Sequence, residues 1–423
     1  MIVLGEILMY ITSYFGLFAA LFFLLTLFEN RNHLKNPKPQ KVLPTVTVMV
    51  PACNEEFSLS KTIKSLLNLD YPKNKLQIII IDDGSVDNTY KIAKEWAKKH
   101  KCIRALTKPN GGKGTALNLG LKYTTGEIVG CLDADSVVDS DCLLKMVGYF
   151  KNKNVGAVTP SLKCTTPKTI WQRIQTIEFL LGVYLRKVFS FLGAIHVTPG
   201  PFTMFRKSFF DKTGGYDETT VTEDIEVALR LQSKGYEIEN AMDANVYAIA
   251  MPTFLTTRKQ RVRWYRGFLD NVFNYKNLFS KKYGNLGLFV LPSSFASIFL
   301  AITVSFYLIY HLAESLLSRF TNLYMVGFDI WKLKWFNADP FFINNSPLMW
   351  LGWLSIAMGI FVIFFTKWAS KEKDKIAFNY ILFALLYLPL FSYWWIESLY
   401  CKLAKGKVEW KGRKREAKEL EYC

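Results

Sequence analysis

The sequence has few of the side chains that build metal clusters and disulfide frameworks. It holds only four histidines, at positions 33, 100, 196 and 311, and they are isolated from one another. Its seven cysteines include no Cys-x-x-Cys pair. We therefore expect no zinc site and no disulfide framework, and the sequence identifies no histidine dyad for nucleophilic catalysis.

Acidic residues are also scarce relative to basic ones. The chain has 35 Asp and Glu against 53 Lys and Arg, a formal net charge of +18. Such a balance would suggest nucleic acid as a partner, but zinc-finger spacing and an aromatic-basic stripe are both missing. The basic residues instead crowd beside long apolar stretches, at Arg31–Lys41, Arg258–Arg266 and Lys402–Lys418. We therefore expect a lipid membrane, and no nucleic acid, as the partner.

Hydrophobic residues make up 50% of the chain, with 33 Phe and 11 Trp. Four stretches are apolar and long enough to cross about 30 Å of hydrocarbon as helices. They are Ile7–Phe28, Leu286–Leu312, Pro347–Thr366 and Ile376–Ile396. The first has neither a basic leader nor a small-residue cleavage pattern, so we interpret it as a retained anchor.

A lysine-rich turn, Lys367–Lys375, separates the last two predicted spans. The positive-inside rule assigns it to the cytoplasmic side. Three spans at the C-terminal end would then put the basic tail outside, against the same rule, unless Leu323–Phe336 re-enters or one span lies in the interface.

Between the apolar stretches, short β-branched runs alternate with helical patterns, as in an α/β fold. The predicted strands are Val46–Val50, Leu76–Ile81, Ile103–Leu106 and Ile128–Leu132, and the predicted helices between them are Leu59–Leu67, Thr89–His100 and Thr115–Tyr123. This order predicts a doubly wound, Rossmann-like nucleotide-binding half. The expected domains are an anchor and linker (1–43), the α/β domain (44–256), an interfacial helix region (257–285), C-terminal membrane helices (286–400) and a basic tail (401–423).

Polar side chains follow each predicted strand, so they should meet along one edge of the sheet, where open α/β folds bind ligands. These residues are Asn54, Glu55, Asp82, Asp83, Lys108, Lys113, Asp133 and Asp135. Asp133-Ala134-Asp135 offers hard oxygen ligands that suit Mg²⁺ or Mn²⁺ bridging a diphosphate, although an Asp-x-Asp can also be ordinary loop chemistry.

Other residues of this edge suit a nucleotide. Asp82 and Asp83 can accept hydrogen bonds from a base or a ribose, and the turn at 111–114 can bring backbone N–H groups and the Lys113 cation to phosphate. That turn lacks the spacing of a P-loop, and alone it would be simply a loop.

Thr222-Glu223-Asp224 opens a predicted helix, Ile225–Lys234. A carboxylate at a helix start is usually a cap. It can also be a general base, because sugar transfer with inversion needs a group that takes the proton from the attacking hydroxyl.

A basic amphipathic helix is predicted around Gln260-Arg261-Val262-Arg263-Trp264, shortly before the second apolar stretch. Such a helix is expected in the membrane interface, with its arginines near headgroups. Headgroup anchoring gives no reason for Gln260 or Trp264, whereas an indole can stack on the apolar face of a sugar.

Together, Asp82-Asp83-Gly84-Ser85, Asp133-Ala134-Asp135, Thr222-Glu223-Asp224 and Gln260-x-x-Arg263-Trp264 resemble the motifs of membrane-integral family 2 glycosyltransferases. The order and spacing are similar to the processive synthases of poly-N-acetylglucosamine, chitin, hyaluronan or cellulose. This resemblance implies a GT-A type cytoplasmic domain between transmembrane helices, in a multi-pass plasma membrane protein.

The resemblance also implies roles for single residues. Donor and nucleotide binding would involve Asn54, Glu55, Asp82, Asp83, Lys113 and Asp133, with Asp83 on the uridine. Asp135 would hold the metal, and Asp224 would be the base. Glu223, Gln260, Arg263 and Trp264 would bind the diphosphate and the acceptor. Trp410 and Arg415 resemble a tail motif of some members.

The expected reaction is inverting transfer from a UDP-sugar to the end of a growing polysaccharide, with Mg²⁺ or Mn²⁺ as cofactor and coupling to export. An accessory membrane subunit would fit the small number of predicted spans. A non-processive transferase acting on a polyprenyl or lipid acceptor is the alternative within enzymes. A catalytically silent membrane scaffold or export partner is the alternative outside them.

Overall fold

The computed structural model describes residues 2–325, 327–328, 346–372 and 376–404. The tail motif at Trp410 and Arg415, and most of the Leu323–Phe336 stretch, lie outside the described residues.

An eight-stranded mixed sheet forms the centre of the α/β domain. Its strands are β1 (Val46–Ala52), β2 (Leu76–Asp83), β3 (Ile103–Lys108), β4 (Ile128–Cys131), β5 (Val137–Val138), β6 (Val155–Cys164), β7 (Met204–Arg206) and β8 (Glu237–Ala248). Their order is β3-β2-β1-β4-β7-β6-β8-β5. The first four are parallel, with β1 between β2 and β4. These are the four strands that the sequence predicts.

The isoleucine run of β2 explains why this half of the sheet is buried on both faces. Ile78 and Ile80 belong to one core cluster, whereas Ile79 and Ile81 belong to another. Successive side chains of a strand point to opposite faces, so each face of the sheet has its own core. A strand buried on both faces is typical of a parallel sheet covered by helices.

Twelve α-helices surround or follow this sheet within the described residues. They are α1 (Ile2–Glu29), α2 (Leu59–Leu67), α3 (Thr89–Lys99), α4 (Lys113–Leu121), α5 (Cys142–Val147), α6 (Ile170–Phe191), α7 (Lys207–Thr213), α8 (Glu223–Ser233), α9 (Phe254–Asn274), α10 (Leu291–Met325), α11 (Pro347–Ala369) and α12 (Ala377–Leu403). Capping boxes at Thr169 and Thr253 fix the starts of α6 and α9.

The second half of the sheet is absent from the sequence prediction, because its strands carry buried polar residues. In β8, Asn240 is fully buried, and its side-chain amide donates to Thr159 Oγ1 of β6 at 3.0 Å. The ammonium of Lys187 on α6 donates to the Asn240 carbonyl oxygen at 3.1 Å. These pairings satisfy the Asn240 amide N–H and carbonyl groups, whereas its side-chain oxygen is buried without a partner. Buried polar residues of this kind interrupt the apolar alternation by which strands are predicted.

In the part of the chain that the structure describes, four helices are long and apolar enough to cross a membrane. They are α1, the continuous helical stretch Leu286–Met325 that ends with α10, α11, and α12. Each contains or overlaps one of the four predicted apolar stretches. The helix α10 follows a π-helical turn, Leu286–Val290. The α/β domain therefore lies in the chain between the first and the second of these helices.

Candidate active site

Parallel pairing brings the polar strand ends to one edge of the sheet. The register aligns Ala52 with Asp82, and Asp83 with Lys108. On the other side of β1, Met49 aligns with Cys131, two residues before Asp133. The loops that leave β1, β2 and β4 are thus neighbours, as the sequence predicts.

The loops after β1 and β2 are joined to each other by hydrogen bonds. The Asn54 backbone N–H donates to Ser85 Oγ at 3.0 Å, and the Val86 N–H donates to Asn54 Oδ1 at 3.0 Å. Asn54 has a φ of 57°, a left-handed conformation that asparagine tolerates better than most residues. The Glu55 N–H donates to Thr89 Oγ1 at 2.7 Å. Asn54 and Glu55 therefore connect the loop after β1 to the loop after β2 and to the start of α3.

The two buried carboxylates at the end of β2 have partners within the protein. Asp82 accepts from Thr107 Oγ1 at 2.8 Å. Asp83 accepts from Lys108 Nζ at 2.7 Å and from the backbone N–H groups of Gly111 and Gly112 at 3.1 and 2.8 Å. Asp83 thereby fixes the glycine-rich turn, where Gly112 has a φ of 91° that favours glycine. Direct base contacts by these two aspartates stay a prediction.

Lys113, the first residue of α4, connects two of the motifs. Its Nζ atom lies 2.7 Å from Asp133 Oδ1 and 3.2 Å from Glu223 Oε1. Burial lowers the pKa of Lys113, but the two carboxylates outweigh that effect and raise it well above its ordinary value. A methyl group at Gly200 would lie 2.7 Å from the same Nζ atom, so the loop passes close to the cation there. The predicted phosphate cation is therefore held in ion pairs between two acidic motifs.

Asp224 and Glu223 have pKa values that are pushed apart. Burial, followed by the neighbouring charge of Glu223, raises the pKa of Asp224 to about 6, against the opposing effects of Lys113 and Arg263. Burial also raises the pKa of Glu223, but Lys113 at 3.2 Å outweighs it, so the net pKa is lowered. Glu223 therefore stays ionised, whereas Asp224 can exchange a proton near neutral pH. Such a split between adjacent carboxylates is a frequent mark of acid-base sites.

Asp224 is also held in place through its backbone. The Thr198 hydroxyl donates to the Asp224 carbonyl oxygen at 2.7 Å, and the Asp224 carboxylate accepts from the Ile225 N–H at 3.0 Å. The carboxylate is half-buried at the start of α8. The N-cap of α8 is Thr222, so Asp224 is the second residue of the helix and not its cap.

The oxygen ligands at the end of β4 fit a hard divalent cation that is shared with a phosphate. Asp135 is half-buried and accepts from the Ser136 hydroxyl at 3.2 Å, while Asp133 pairs with Lys113. Among the described residues, no group of three or more His, Cys, Asp or Glu could hold a metal on its own. Mg²⁺ is commonly held by one or two carboxylates plus substrate phosphates, so the set present here suits that arrangement.

The helix α9 packs directly against the segment that carries Asp224. Arg263 Nη1 donates to the Val221 carbonyl oxygen at 3.2 Å. One and two turns further on, Gly267 leaves room for the Thr222 side chain, and the Asn271 amide donates to Thr222 Oγ1 at 2.9 Å. The Gln260-x-x-Arg263-Trp264 motif therefore lies beside Thr222-Glu223-Asp224, and Lys113 connects the latter to Asp133-Ala134-Asp135.

The arginines of α9 have protein partners, which differs from the expectation that they contact headgroups. Arg258 forms a two-pronged ion pair with Glu397 of α12, and Arg266 donates to the Cys401 carbonyl oxygen at 2.7 Å. Arg261 is fully buried. The reason is that α12 packs along α9 and supplies the acceptors of Arg258 and Arg266. Trp264 is half-buried, with the Arg261 guanidinium 4.3 Å from its ring centre.

Sequence reasoning missed Thr198, Gly200, Gly267 and Asn271. The first two lie in an irregular loop that gives no periodic signal. Gly267 and Asn271 could have been found, because they follow Arg263 at steps of four and therefore share one face of the helix. A small residue and a polar residue in line with Arg263 indicate close packing against a polar segment.

The domain has a mixed sheet with acidic motifs at the carboxyl ends of its parallel strands. This arrangement is typical of the GT-A fold of glycosyltransferases. Residues 47–214 match the family model "Glycosyl transferase family 2". The matched residues run from β1 to the end of α7 and make up most of the α/β domain.

Two curated relatives differ in what their names say they make. The chain is 37% identical over 241 residues to a poly-beta-1,6-N-acetyl-D-glucosamine synthase of Staphylococcus epidermidis, covering 56% of this chain and 58% of the relative. It is 35% identical over 246 residues to a beta-monoglucosyldiacylglycerol synthase of Nostoc sp., covering 57% of this chain and 53% of the relative. The chain thus matches little more than half the length of each.

A solved structure shares the fold over nearly the whole chain. It is the mannosyltransferase PcManGT from Pyrobaculum calidifontis, in complex with GDP-Man and Mn²⁺. The TM-score is 0.53 at 19% sequence identity, over 95% of this chain and 100% of that one. This likeness establishes the GT-A fold with flanking apolar helices.

We predict that Gly267→Ala destabilises the protein, because its methyl group would lie 2.2 Å from Thr222 Oγ1. Overpacking typically costs about 1–3 kcal/mol, which exceeds the roughly 1 kcal/mol that alanine gains over glycine in a helix. The measurement is thermal unfolding of the purified protein in detergent. Gly352→Ala on α11 is the matched control, since nothing lies within 4 Å of its added methyl group. Unfolding of Gly267→Ala at the wild-type temperature would contradict this packing.

Proposed function

We propose that the protein is a membrane-bound, inverting glycosyltransferase that transfers a sugar from a UDP-sugar to the end of a growing glycan. The observation that carries the proposal is the position of Asp224, a carboxyl with a pKa of about 6, directly after Glu223 in the Asp133–Lys113–Glu223 ion-pair network. A base is thereby held next to the residues that suit a sugar-diphosphate donor.

The class of donor is proposed from the residues at this edge of the sheet and from the relatives together. The nucleotide would lie beside Asn54, Glu55, Asp82 and Asp83, and the sugar and diphosphate would lie beside Lys113 and Asp133. PcManGT was solved with GDP-Man, which supports a nucleoside diphosphate sugar as the donor class. The motif resemblance favours uridine, and the name of the Staphylococcus relative favours N-acetylglucosamine as the sugar.

A divalent cation, Mg²⁺ or Mn²⁺, is proposed at Asp135. Bound there, it would neutralise negative charge on the departing diphosphate. The presence of Mn²⁺ in the PcManGT complex supports a divalent metal in a protein of this fold. Asp133, already paired with Lys113, would orient the donor's ribose or sugar.

The proposed reaction is a single displacement at the anomeric carbon. The acceptor hydroxyl loses its proton to the Asp224 carboxylate as its oxygen bonds to that carbon. The bond from the same carbon to the diphosphate oxygen breaks on the opposite face, and UDP leaves. Glu223 and Arg263 would bind near the diphosphate, and Gln260 and Trp264 would hold the acceptor.

The product is proposed to be a polysaccharide made processively and exported through or beside the apolar helices. The chain would be a multi-pass plasma membrane protein with its catalytic domain in the cytoplasm, and an accessory membrane subunit is a candidate partner.

The Nostoc relative favours a second candidate function, single transfer of a sugar to a lipid acceptor. The Gln260-x-x-Arg263-Trp264 motif supports the polymer over the lipid. A silent scaffold is disfavoured because it would have no need of an Asp224 with a pKa near neutrality.

We predict that Asp224→Asn lowers turnover at least ~10²-fold while UDP binding stays intact, since the amide keeps the shape but cannot take the proton. In the wild type the base must be ionised. With a pKa of about 6, kcat/KM should therefore fall as the pH drops through that value.

Measuring the pH profile and UDP affinity of both proteins checks this prediction. Asp211→Asn, an exposed carboxylate paired with Lys207 on α7, is the matched control and should keep wild-type rates. An equal loss of UDP affinity in Asp224→Asn would mark the residue as structural instead.

We predict that Trp264→Ala shortens the product or abolishes extension while UDP still binds, because a stacked indole contributes strongly to a ligand's binding. The loss should be several tens-fold or more in acceptor use. Product sizing in detergent, where membrane anchoring no longer matters, is the measurement. Trp368→Ala, an exposed indole near the end of α11, is the control. If Trp264→Ala made products of wild-type length, Trp264 would not be the platform on which the acceptor sugar stacks.

A further inference from the structure

Arg261 is the most deeply buried charge of α9, with none of its side chain exposed. A guanidinium removed from water needs a carboxylate and a full set of hydrogen-bond acceptors, since an unpaired buried charge is strongly destabilising. The roles proposed for Gln260, Arg263 and Trp264 do not by themselves require a buried arginine at position 261.

The carboxylate partner of Arg261 comes from α6. Arg261 Nε donates to Glu178 Oε1 at 3.0 Å, and its Nη2 donates to Glu178 Oε2. This is the parallel, two-bond geometry in which a planar guanidinium is held in one orientation. A third helix joins the pair, because the Tyr387 hydroxyl of α12 donates to Glu178 Oε1 at 3.1 Å. Three helices therefore meet at a single ion pair.

The remaining edge and face of the same guanidinium contact the motif. Nη1 donates to Gln260 Oε1 at 2.6 Å, and the guanidinium carbon lies 4.3 Å from the ring centre of Trp264. The cation is thus positioned to fix both side chains, one by a hydrogen bond and the other by a cation–π contact. Neither side chain can change orientation without altering its contact with Arg261.

We propose that Glu178 is a positioning residue for the acceptor site: it orients Arg261, which in turn sets Gln260 and Trp264, and Tyr387 ties this arrangement to a helix of membrane-spanning length. The inference rests on the proposed function, in which Trp264 holds the acceptor. Glu178 itself acts only through Arg261. Its role is to keep the acceptor platform formed before the glycan arrives, which reduces the ordering that binding would otherwise require.

The test compares two glutamates that pair with arginines of α9. Glu178→Gln removes the carboxylate that orients Arg261. Glu397→Gln removes the carboxylate of α12 that pairs with Arg258. This pair is separate from the contacts of Arg261 with Gln260 and Trp264. Full-length variants in detergent are assayed for donor KM, for acceptor KM with a short glycan primer, and for product length.

We expect Glu178→Gln to raise the acceptor KM about tenfold or more and to shorten the product, with the donor KM unchanged, because only the platform is disturbed. Glu397→Gln should leave all three values near wild type. Equal effects of the two variants, or a parallel change in donor and acceptor KM for Glu178→Gln, would overturn the positioning role.

Two further variants keep the test decisive if Glu178→Gln folds poorly. Tyr387→Phe removes one hydroxyl, and Arg261→Lys keeps the charge but loses the planar fork. Both should change acceptor KM selectively, and an unchanged acceptor KM in both would overturn the inference.

In the double variant Glu178→Gln/Trp264→Ala, no loss beyond that of Trp264→Ala is expected, since both act on one platform. If Trp264→Ala itself is without effect, the proposed function fails first; if it acts and Glu178→Gln does not, only the positioning role fails.

Discussion

The ion pairs of Lys113 with Asp133 and Glu223 are the contacts on which the site depends. They join the end of β4 to the start of α8, two segments separated by about ninety residues of chain that includes three further strands and three helices. Burial raises the pKa of Asp224, and the ionised Glu223 that the network places beside it raises it further, to about 6 against the opposing charge of Lys113. Loss of the cation would leave three carboxylates close together, so the cation and the acidic motifs are mutually dependent.

The helix α9 extends this arrangement toward the apolar helices. One of its faces packs on the segment at 221–224, through Arg263 and Asn271. Another face packs on α12, through Arg258 and through the stacking of Tyr265 on Trp395 at 4.4 Å. The Gln260-x-x-Arg263-Trp264 motif is therefore held between the α/β domain and a helix of membrane-spanning length. This position supports the proposal that the product leaves along the membrane helices.

Sequence alone predicted the parallel half of the sheet and the four apolar helices, because their residues follow simple patterns. The continuous isoleucine run of β2 has no other ready interpretation than a buried parallel strand. β6 and β8 escaped prediction, since residues such as Asn240 and Lys163 are buried with partners that only the folded chain supplies. The residues of the candidate site were predicted from motif resemblance, but the ion pairs between them were not. Nothing in the spacing indicates that Lys113 bridges Asp133 and Glu223, or that Arg261 turns inward to Glu178 rather than outward to lipid.

The central claim is metal-assisted transfer from a UDP-sugar, and nucleotide release tests it most directly. The purified full-length protein in detergent is given UDP-N-acetylglucosamine, UDP-glucose, UDP-glucuronate or GDP-mannose, with Mg²⁺ or Mn²⁺ and with EDTA, beside the variant Asp135→Ala. The account predicts UDP release from UDP-N-acetylglucosamine that requires the metal and is lost in Asp135→Ala. Absence of nucleotide release from every UDP-sugar, or release that is undiminished in EDTA, would contradict it.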